Sequence, residues 1–229
     1  MKILIFFVCL IYLINGQTTT LDTRIYRTLQ KSMDIVLTAN SYHSAEISDR
    51  FRFSILGNFT QIDIKGNLAN IDFGNGKLKR IEYKTLHAFV DLPVHIQAGF
   101  HFNYPSATIN GLKTNYLGYS LKVQLNQWLW SDFVSLSAQV NTHKIEIDDQ
   151  LISTTNSANL HISKNFWNFE PYLGISYNQN KTEIGSYSNL QTEVLYKAGL
   201  SYQLYFFYLY GETLFHIHDN FSVGLSFKF

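Results

Sequence analysis

Asn220-Phe221-Ser222-Val223-Gly224-Leu225-Ser226-Phe227-Lys228-Phe229 alternates without a break. Phe221, Val223, Leu225, Phe227 and Phe229 fall on one face; Ser222, Gly224, Ser226 and Lys228 fall on the other. A period of two is that of a β-strand, whose successive side chains point to opposite faces. The stretch is also about as long as the ~9–11 residues with which a tilted strand crosses a bilayer.

The same period recurs toward the N-terminus. Phe51, Phe53, Ile55 and Phe59 oppose Arg52, Ser54, Asn58 and Thr60. Residues 77–91 are less regular, with Leu86, Ala88 and Val90 on one face. After Pro93, apolar residues from Val94 to Phe102 alternate with His95, Gln97, Gly99, His101 and Asn103. Further on, the polar faces carry Lys122 and Gln124, then Gln139, then His161, then Lys197 and Gln203, then Tyr208, Tyr210 and Glu212. With the terminal strand this makes about ten strands. Only three prolines are present, which suits long strands.

Composition excludes some partners. Eighteen Lys and Arg against seventeen Asp and Glu leave a formal charge of +1, with no field that would draw nucleic acid. Lys2 followed by the apolar run Ile3–Ile14 reads as a secretory signal with a cut after Gly16. The sole cysteine, Cys9, lies within it, so the mature chain is expected to carry no disulfide or thiolate site. Leu21, Ile25, Leu29, Met33 and Leu37 form a helical stripe. A short amphipathic helix there could lie in the periplasm, rest on the membrane, plug the lumen, or simply lead into the barrel. The expected organisation is a signal peptide over 1–16, helix and leader over 17–50, and a barrel over 51–229.

The polar faces separate a membrane barrel from a soluble sandwich. They carry Gln, Asn, Ser, Gly and His, with few charges. A water-facing sheet usually bears more Lys and Glu, whereas small neutral groups suit a confined lumen. The fold class expected is therefore all-β: a transmembrane antiparallel up-and-down β-barrel in the bacterial outer membrane. If the last strand runs into the periplasm, periplasmic turns fall near 126–132, 165–168 and 204–205. Outer loops fall near 104–113, 147–153, 179–191 and 217–220, mostly longer than the turns. Trp128, Trp130 and Trp167 then share one level, as in an aromatic girdle.

The aromatic C-terminal strand resembles the assembly signal of bacterial outer-membrane barrels, formed here by Phe221, Val223, Leu225, Phe227 and Phe229. Tyr116-Leu117-Gly118-Tyr119-Ser120-Leu121-Lys122 with Gln127-Trp128, Pro171-Tyr172-Leu173-Gly174-Ile175-Ser176-Tyr177, and Gly224–Phe229 resemble strands of small Bacteroidota outer-membrane barrels. The resemblance is to an uncharacterised family of that phylum and covers residues 86–229. It implies fold and location, with the lipid bilayer and the barrel assembly machinery as partners, and supplies no catalytic residues.

Chemistry-bearing groups are sparse. His216 and His218 share a strand face with Glu212 but lack a fixed third metal ligand. Asp148, Asp149 and His143 lie near one expected outer loop without a catalytic spacing. No enzyme activity and no cofactor are expected. The lumen-facing candidates are His95, Gln97, His101, Lys122, Gln124, Gln139, His161, Lys197, Gln203, Glu212 and Lys228. The leading functional expectation is a narrow channel or transporter for small solutes. The alternative is a structural or surface-interaction barrel with a closed lumen and partner-binding outer loops. A continuous water path favours the first; a lumen packed by charge pairs and aromatics favours the second.

Overall fold

A computed structural model describes residues 45–63, 80–104, 108–109, 112–126, 134–147, 151–184, 187–215 and 219–229. They form β1 (Arg52–Asp63), β2 (Arg80–Leu92), β3 (Ile96–Asn103), β4 (Thr108–Ile109), β5 (Leu112–Gln124), β6 (Ser135–Ile147), β7 (Leu151–Ser163), β8 (Phe169–Ile184), β9 (Tyr187–Leu204), β10 (Phe207–Phe215) and β11 (Asp219–Lys228). β4 folds back on Leu112 and Lys113. The other ten strands pair antiparallel with their chain neighbours, and β1 pairs with β11 to close the barrel. Closure leaves no open edge in the ladder. The expected signal peptide and the helix over Leu21–Leu37 lie outside the described residues.

One rim carries Arg52, the turn 93–95 and Phe229; it is called the chain-end rim. The far rim carries the ends of β6 and β7 at Ile147 and Leu151. The terminal strand faces as its alternation predicts, with Phe221 and Val223 outward and Ser222 and Ser226 inward. Phe229 extends the ladder by exchanging backbone hydrogen bonds with Phe53.

The expected loop asymmetry fails on one side. β6 ends at Ile147 and β7 begins at Leu151; β8 ends at Ile184 and β9 begins at Tyr187; β10 ends at Phe215 and β11 begins at Asp219. Residues 147–153 and 179–191, expected as outer loops, are largely strand. β8 and β9 run for 16 and 18 residues, well past the ~9–11 that a bilayer requires. They are long because their polar ends keep pairing beyond the apolar belt.

That overhang inverts the side-chain pattern. On β6, Ala138 and Val140 face out while Ser137, Gln139, Asn141 and His143 face in. Two residues on, Lys144 and Glu146 face out, and Ile145 and Ile147 are buried inside. Ile62, Ile81, Tyr83, Tyr116 and Leu151 join them in an apolar interior at this end. The irregularity over 80–91 has the related cause that apolar residues fall on both faces. Ile81, Tyr83 and Phe89 fill the interior while Leu86, Ala88 and Val90 face out.

At the chain-end rim the turns at 166–169 and 205–206 are tight. Phe166 and Phe169 exchange two backbone hydrogen bonds around Trp167-Asn168. Trp167 takes φ 58° and Tyr205 takes φ 56°, left-handed values that cost a non-glycine residue roughly 1–2 kcal/mol. Both side chains stand out from the turns, 96% and 86% exposed.

Candidate functional site

The lumen is the candidate site, because strand parity delivers most of the chemistry-bearing side chains into it. Gln97, His101, Lys122, Gln139, His161, Lys197 and Glu212 face inward and are buried. Gln124, Gln203 and Lys228 are partly exposed at the chain-end rim. His95 departs from its expected strand position. It sits in the turn 93–95 with φ 54°, because the chain reverses there between β2 and β3. Trp128, Trp130, His216, His218, Asp148 and Asp149 lie outside the described residues. His143, expected beside an outer loop, is instead buried in the lumen, because β6 continues four residues past it.

A polar relay crosses three strands. Thr85 Oγ1 lies 2.8 Å from His87 Nε2. His87 Nδ1 meets His101 Nδ1, and His101 Nε2 lies 3.0 Å from Ser120 Oγ. His143 packs against His101 with ring centroids 5.0 Å apart. It shares a 2.7 Å hydrogen bond with Tyr116 Oη and stacks on that ring. Among the described residues no group of three or more His, Cys, Asp or Glu is arranged to hold a metal ion.

Rings laid over glycines fill the remaining space. Gly118 stands opposite His143 in register, and a Cβ there would come 2.3 Å from His143 Nδ1. Gly224 is covered in the same way by Tyr210, and Gly199 by Tyr172. Sequence reasoning put Tyr210 on the polar face but missed Tyr172 and His143 as lumen rings, along with Tyr83, His87 and Phe89. The signal was a ring facing a glycine across the ladder, which becomes readable only once register is known.

Charges cluster toward the chain-end rim. Arg52 bonds Asp91 at 2.8 Å, and Gln97 donates to the other Asp91 oxygen at 2.7 Å. Tyr172 donates to Glu212 at 3.1 Å, and Ser201 to Glu170 at 3.3 Å. The Lys228 ammonium lies 3.4 Å from the centre of the Tyr208 ring. Of these groups, Arg52, Glu170, Ser201, Tyr208 and Lys228 border a vestibule of about 330 Å³. The leader enters its wall: Ala45 N–H donates to Ser163 Oγ at 3.2 Å and Ile47 N–H to Gln124 Oε1 at 2.9 Å. Ala45 and Ile47 are buried there.

Above the vestibule the inward side chains from all ten barrel strands include buried residues, among them Asn58, His87, Gln139, Asn159, Asn178 and Glu212. The arrangement holds a polar core. Ser137 Oγ, both amide atoms of Gln139 and His143 Nε2 are buried on β6 and have no hydrogen-bond partner among the described residues.

Residues 75–229 match the profile of the "Family of unknown function (DUF6588)". The chain belongs to that family. No curated protein matches the DUF6588 chain. Solved structures do, at low identity. An outer membrane channel from Pseudomonas putida F1 is 6% identical, with TM-score 0.47, over 82% of this chain and 97% of that one. Ail, the attachment invasion locus protein of Yersinia pestis, solved with a heparin analogue, is 12% identical, with TM-score 0.32, over 79% and 99%. A loop-deletion mutant of OmpT, an outer membrane protein of Vibrio cholerae, is 10% identical, with TM-score 0.37, over 66% of this chain. The DUF6588 chain spans just over half the length of that protein, 54%. With its closed antiparallel ladder and outward apolar belt, the DUF6588 chain is an outer-membrane β-barrel protein.

Proposed function

We propose that the protein is a closed-lumen barrel that works through its far rim rather than through a pore. The observation that carries this reading is the burial of the inward side chains. His87, His101, Lys122, Gln139, Lys197 and Glu212 sit within a few per cent of complete burial. Beyond them the interior turns apolar at Ile62, Ile81, Ile145, Ile147 and Leu151. In a barrel of this strand number, side chains suffice to fill the interior. These apolar groups narrow one side of the interior against hydrated solutes, while Ser153, Asn180 and Thr182 fill the side of β7 and β8 with hydrogen-bonded polar groups.

At the far rim stand the end of β1 at Asp63, the start of β2 at Arg80, the end of β3 at Asn103 and the start of β5 at Leu112. β1, β2, β3 and β5 are neighbours in the barrel, so these strand ends gather on one side. With the C-terminal strand running to the periplasm, that side faces the cell exterior and is where a partner would dock. Trp167 and Tyr205 then anchor the opposite rim at the inner interface. The barrel assembly machinery would recognise the strand ending at Phe229. No catalytic step enters this function.

The competing reading is a narrow passage. It is favoured by the unpartnered atoms of Ser137, Gln139 and His143, which form a line on one strand. Electrical recording from the purified barrel in planar bilayers separates the two. A closed lumen gives no discrete conductance steps, and liposomes carrying the protein do not swell in small sugars. Stable unitary steps from the wild-type protein would overturn the closed-lumen reading in favour of the passage.

A further inference from the structure

The outer face of β5–β9 is organised in rows that cross the strands in register. One row reads Val123, Ala138, Leu160, Ile175 and Tyr196 across five strands. The next reads Leu121, Val140, Ala158, Tyr177 and Val194. Above these come Tyr119, Thr142, Asn156, Gln179 and Thr192, and then Leu117, Lys144, Thr154, Lys181 and Leu190. On β6 and β8 the chemistry thus changes from hydrocarbon to neutral hydrogen-bonding groups to ammonium over three steps along the strand. Val140 and Lys144 are four residues apart, about 13 Å along β6.

Two features stand on the same strands. Ala138 and Ala158 are small where Leu121, Leu160 and Tyr177 are large, and the shortfall opens an apolar depression of about 490 Å³. Directly above, Lys144 and Lys181 flank Thr154 in register, two strand spacings or roughly 10 Å apart. The lysines are 49% and 56% exposed. Each is steered by a carboxylate two residues on, Lys144 by Glu146 and Lys181 by Glu183, at 2.6 Å in both cases. An ammonium carries three donors, so each lysine keeps capacity for a second acceptor.

We propose that this face seats a phosphate-bearing anionic lipid of the leaflet at the far rim. An acyl chain fills the depression at Ala138 and Ala158. Thr142, Asn156 and Gln179 meet the ester or sugar region, and Lys144 and Lys181 close on the phosphate over Thr154. Lysine serves as a point-charge phosphate ligand. A second copy of the chain fits this face poorly. Membrane protomers related by a two-fold axis along the membrane normal would meet at equal height, bringing each lysine row against itself. The proposal holds whether the lumen is open or closed.

The test is native mass spectrometry of the detergent-folded barrel with dioleoyl-phosphatidylglycerol or dioleoyl-phosphatidylcholine added. The wild-type protein is expected to retain phosphatidylglycerol in preference to phosphatidylcholine. Lys144→Gln with Lys181→Gln should weaken that adduct roughly tenfold. Ala138→Leu with Ala158→Leu, which fills the depression and leaves both lysines, should weaken it too. Lys84→Gln, on the outward face of β2 away from these strands, should leave it unchanged. Equal retention of the two lipids, undiminished binding to the lysine variant, or an equal loss with Lys84→Gln would each overturn the proposal. Heat-modifiable migration confirms that every variant is folded, and the lysine pair decides the matter alone if the alanine pair fails to fold.

Discussion

From Ser135 to Asn141, β6 keeps its polar side chains inside the barrel and its apolar ones outside; from Lys144 to Ile147 it does the reverse. The hydrogen-bonded ladder runs through both halves without interruption. Only the solvent on the outer face differs. Against lipid, an outward Val140 costs nothing and an inward Gln139 or His143 avoids the hydrocarbon. Beyond the lipid the outward positions meet water, so the interior becomes the place to bury Ile145 and Ile147. The edge of the bilayer is therefore written as an inversion of parity within a strand, not as the end of the strand.

The sharpest way to break this comparison is to make the same cut in both halves. Ile145→Ala empties a fully buried interior position in the overhang and should cost about 2–5 kcal/mol. Val140→Ala, five residues earlier and facing lipid, should cost well under that, because the lipid closes around the smaller side chain. Unfolding in denaturant from detergent, followed by heat-modifiable migration, measures both. Equal costs would mean that Val140 is packed against protein and not against lipid.

A charge reverses the ranking. Val140→Lys places an ammonium in the apolar belt and should cost roughly 2–4 kcal/mol if that row lies near the bilayer midplane, less toward the interface. Ile152→Lys, outward on β7 in the overhang beside Glu146 and Glu183, should be near neutral. A large penalty at Ile152 would move the bilayer boundary above the lysine row and would undercut the lipid seat as well.

What could be read from the sequence follows the same division. β5 and β11 were legible because their lipid-facing halves alternate cleanly, as with Leu117, Tyr119 and Leu121 against Gly118, Ser120 and Lys122. The outer ends of β8 and β9 were mistaken for a loop. Asn178, Asn180 and Thr182 inside and Gln179, Lys181 and Glu183 outside are all polar, so pairing there leaves no trace in hydropathy. β2 was blurred for the opposite reason, with apolar residues on both faces. Inward parity could be assigned to Gln97, His101, Lys122 and Lys197 from one strand at a time. The contacts between strands, such as Tyr172 over Gly199 and Tyr116 on His143, depend on register, which a single strand does not encode.

The glycine positions test packing in the half where polar groups face inward. Gly199→Val would drive a side chain into Tyr172, whose ring atoms lie 2.2 Å from the site of the new Cβ. Overpacking of this kind costs about 1–3 kcal/mol, and Tyr172 would lose its hydrogen bond to Glu212. The paired change Gly199→Val with Tyr172→Ala should recover part of the loss, which a double-mutant cycle reads directly. No recovery would mean that the glycine is required for its backbone and not for the space above it.

The smallest effect belongs to the outward lysines. Lys144 and Glu146 form an ion pair with half of the lysine in solvent, and such pairs contribute only ~0–1 kcal/mol. Lys144→Gln should therefore leave the unfolding midpoint almost where it was, although its neighbour Ile145 is among the costliest positions to change. Those two adjacent residues carry the comparison down to a single peptide bond. If Lys144→Gln in detergent proved as damaging as Ile145→Ala, the outer face of the overhang would have to be packed against protein, and the inversion of parity would not mark where lipid gives way to water.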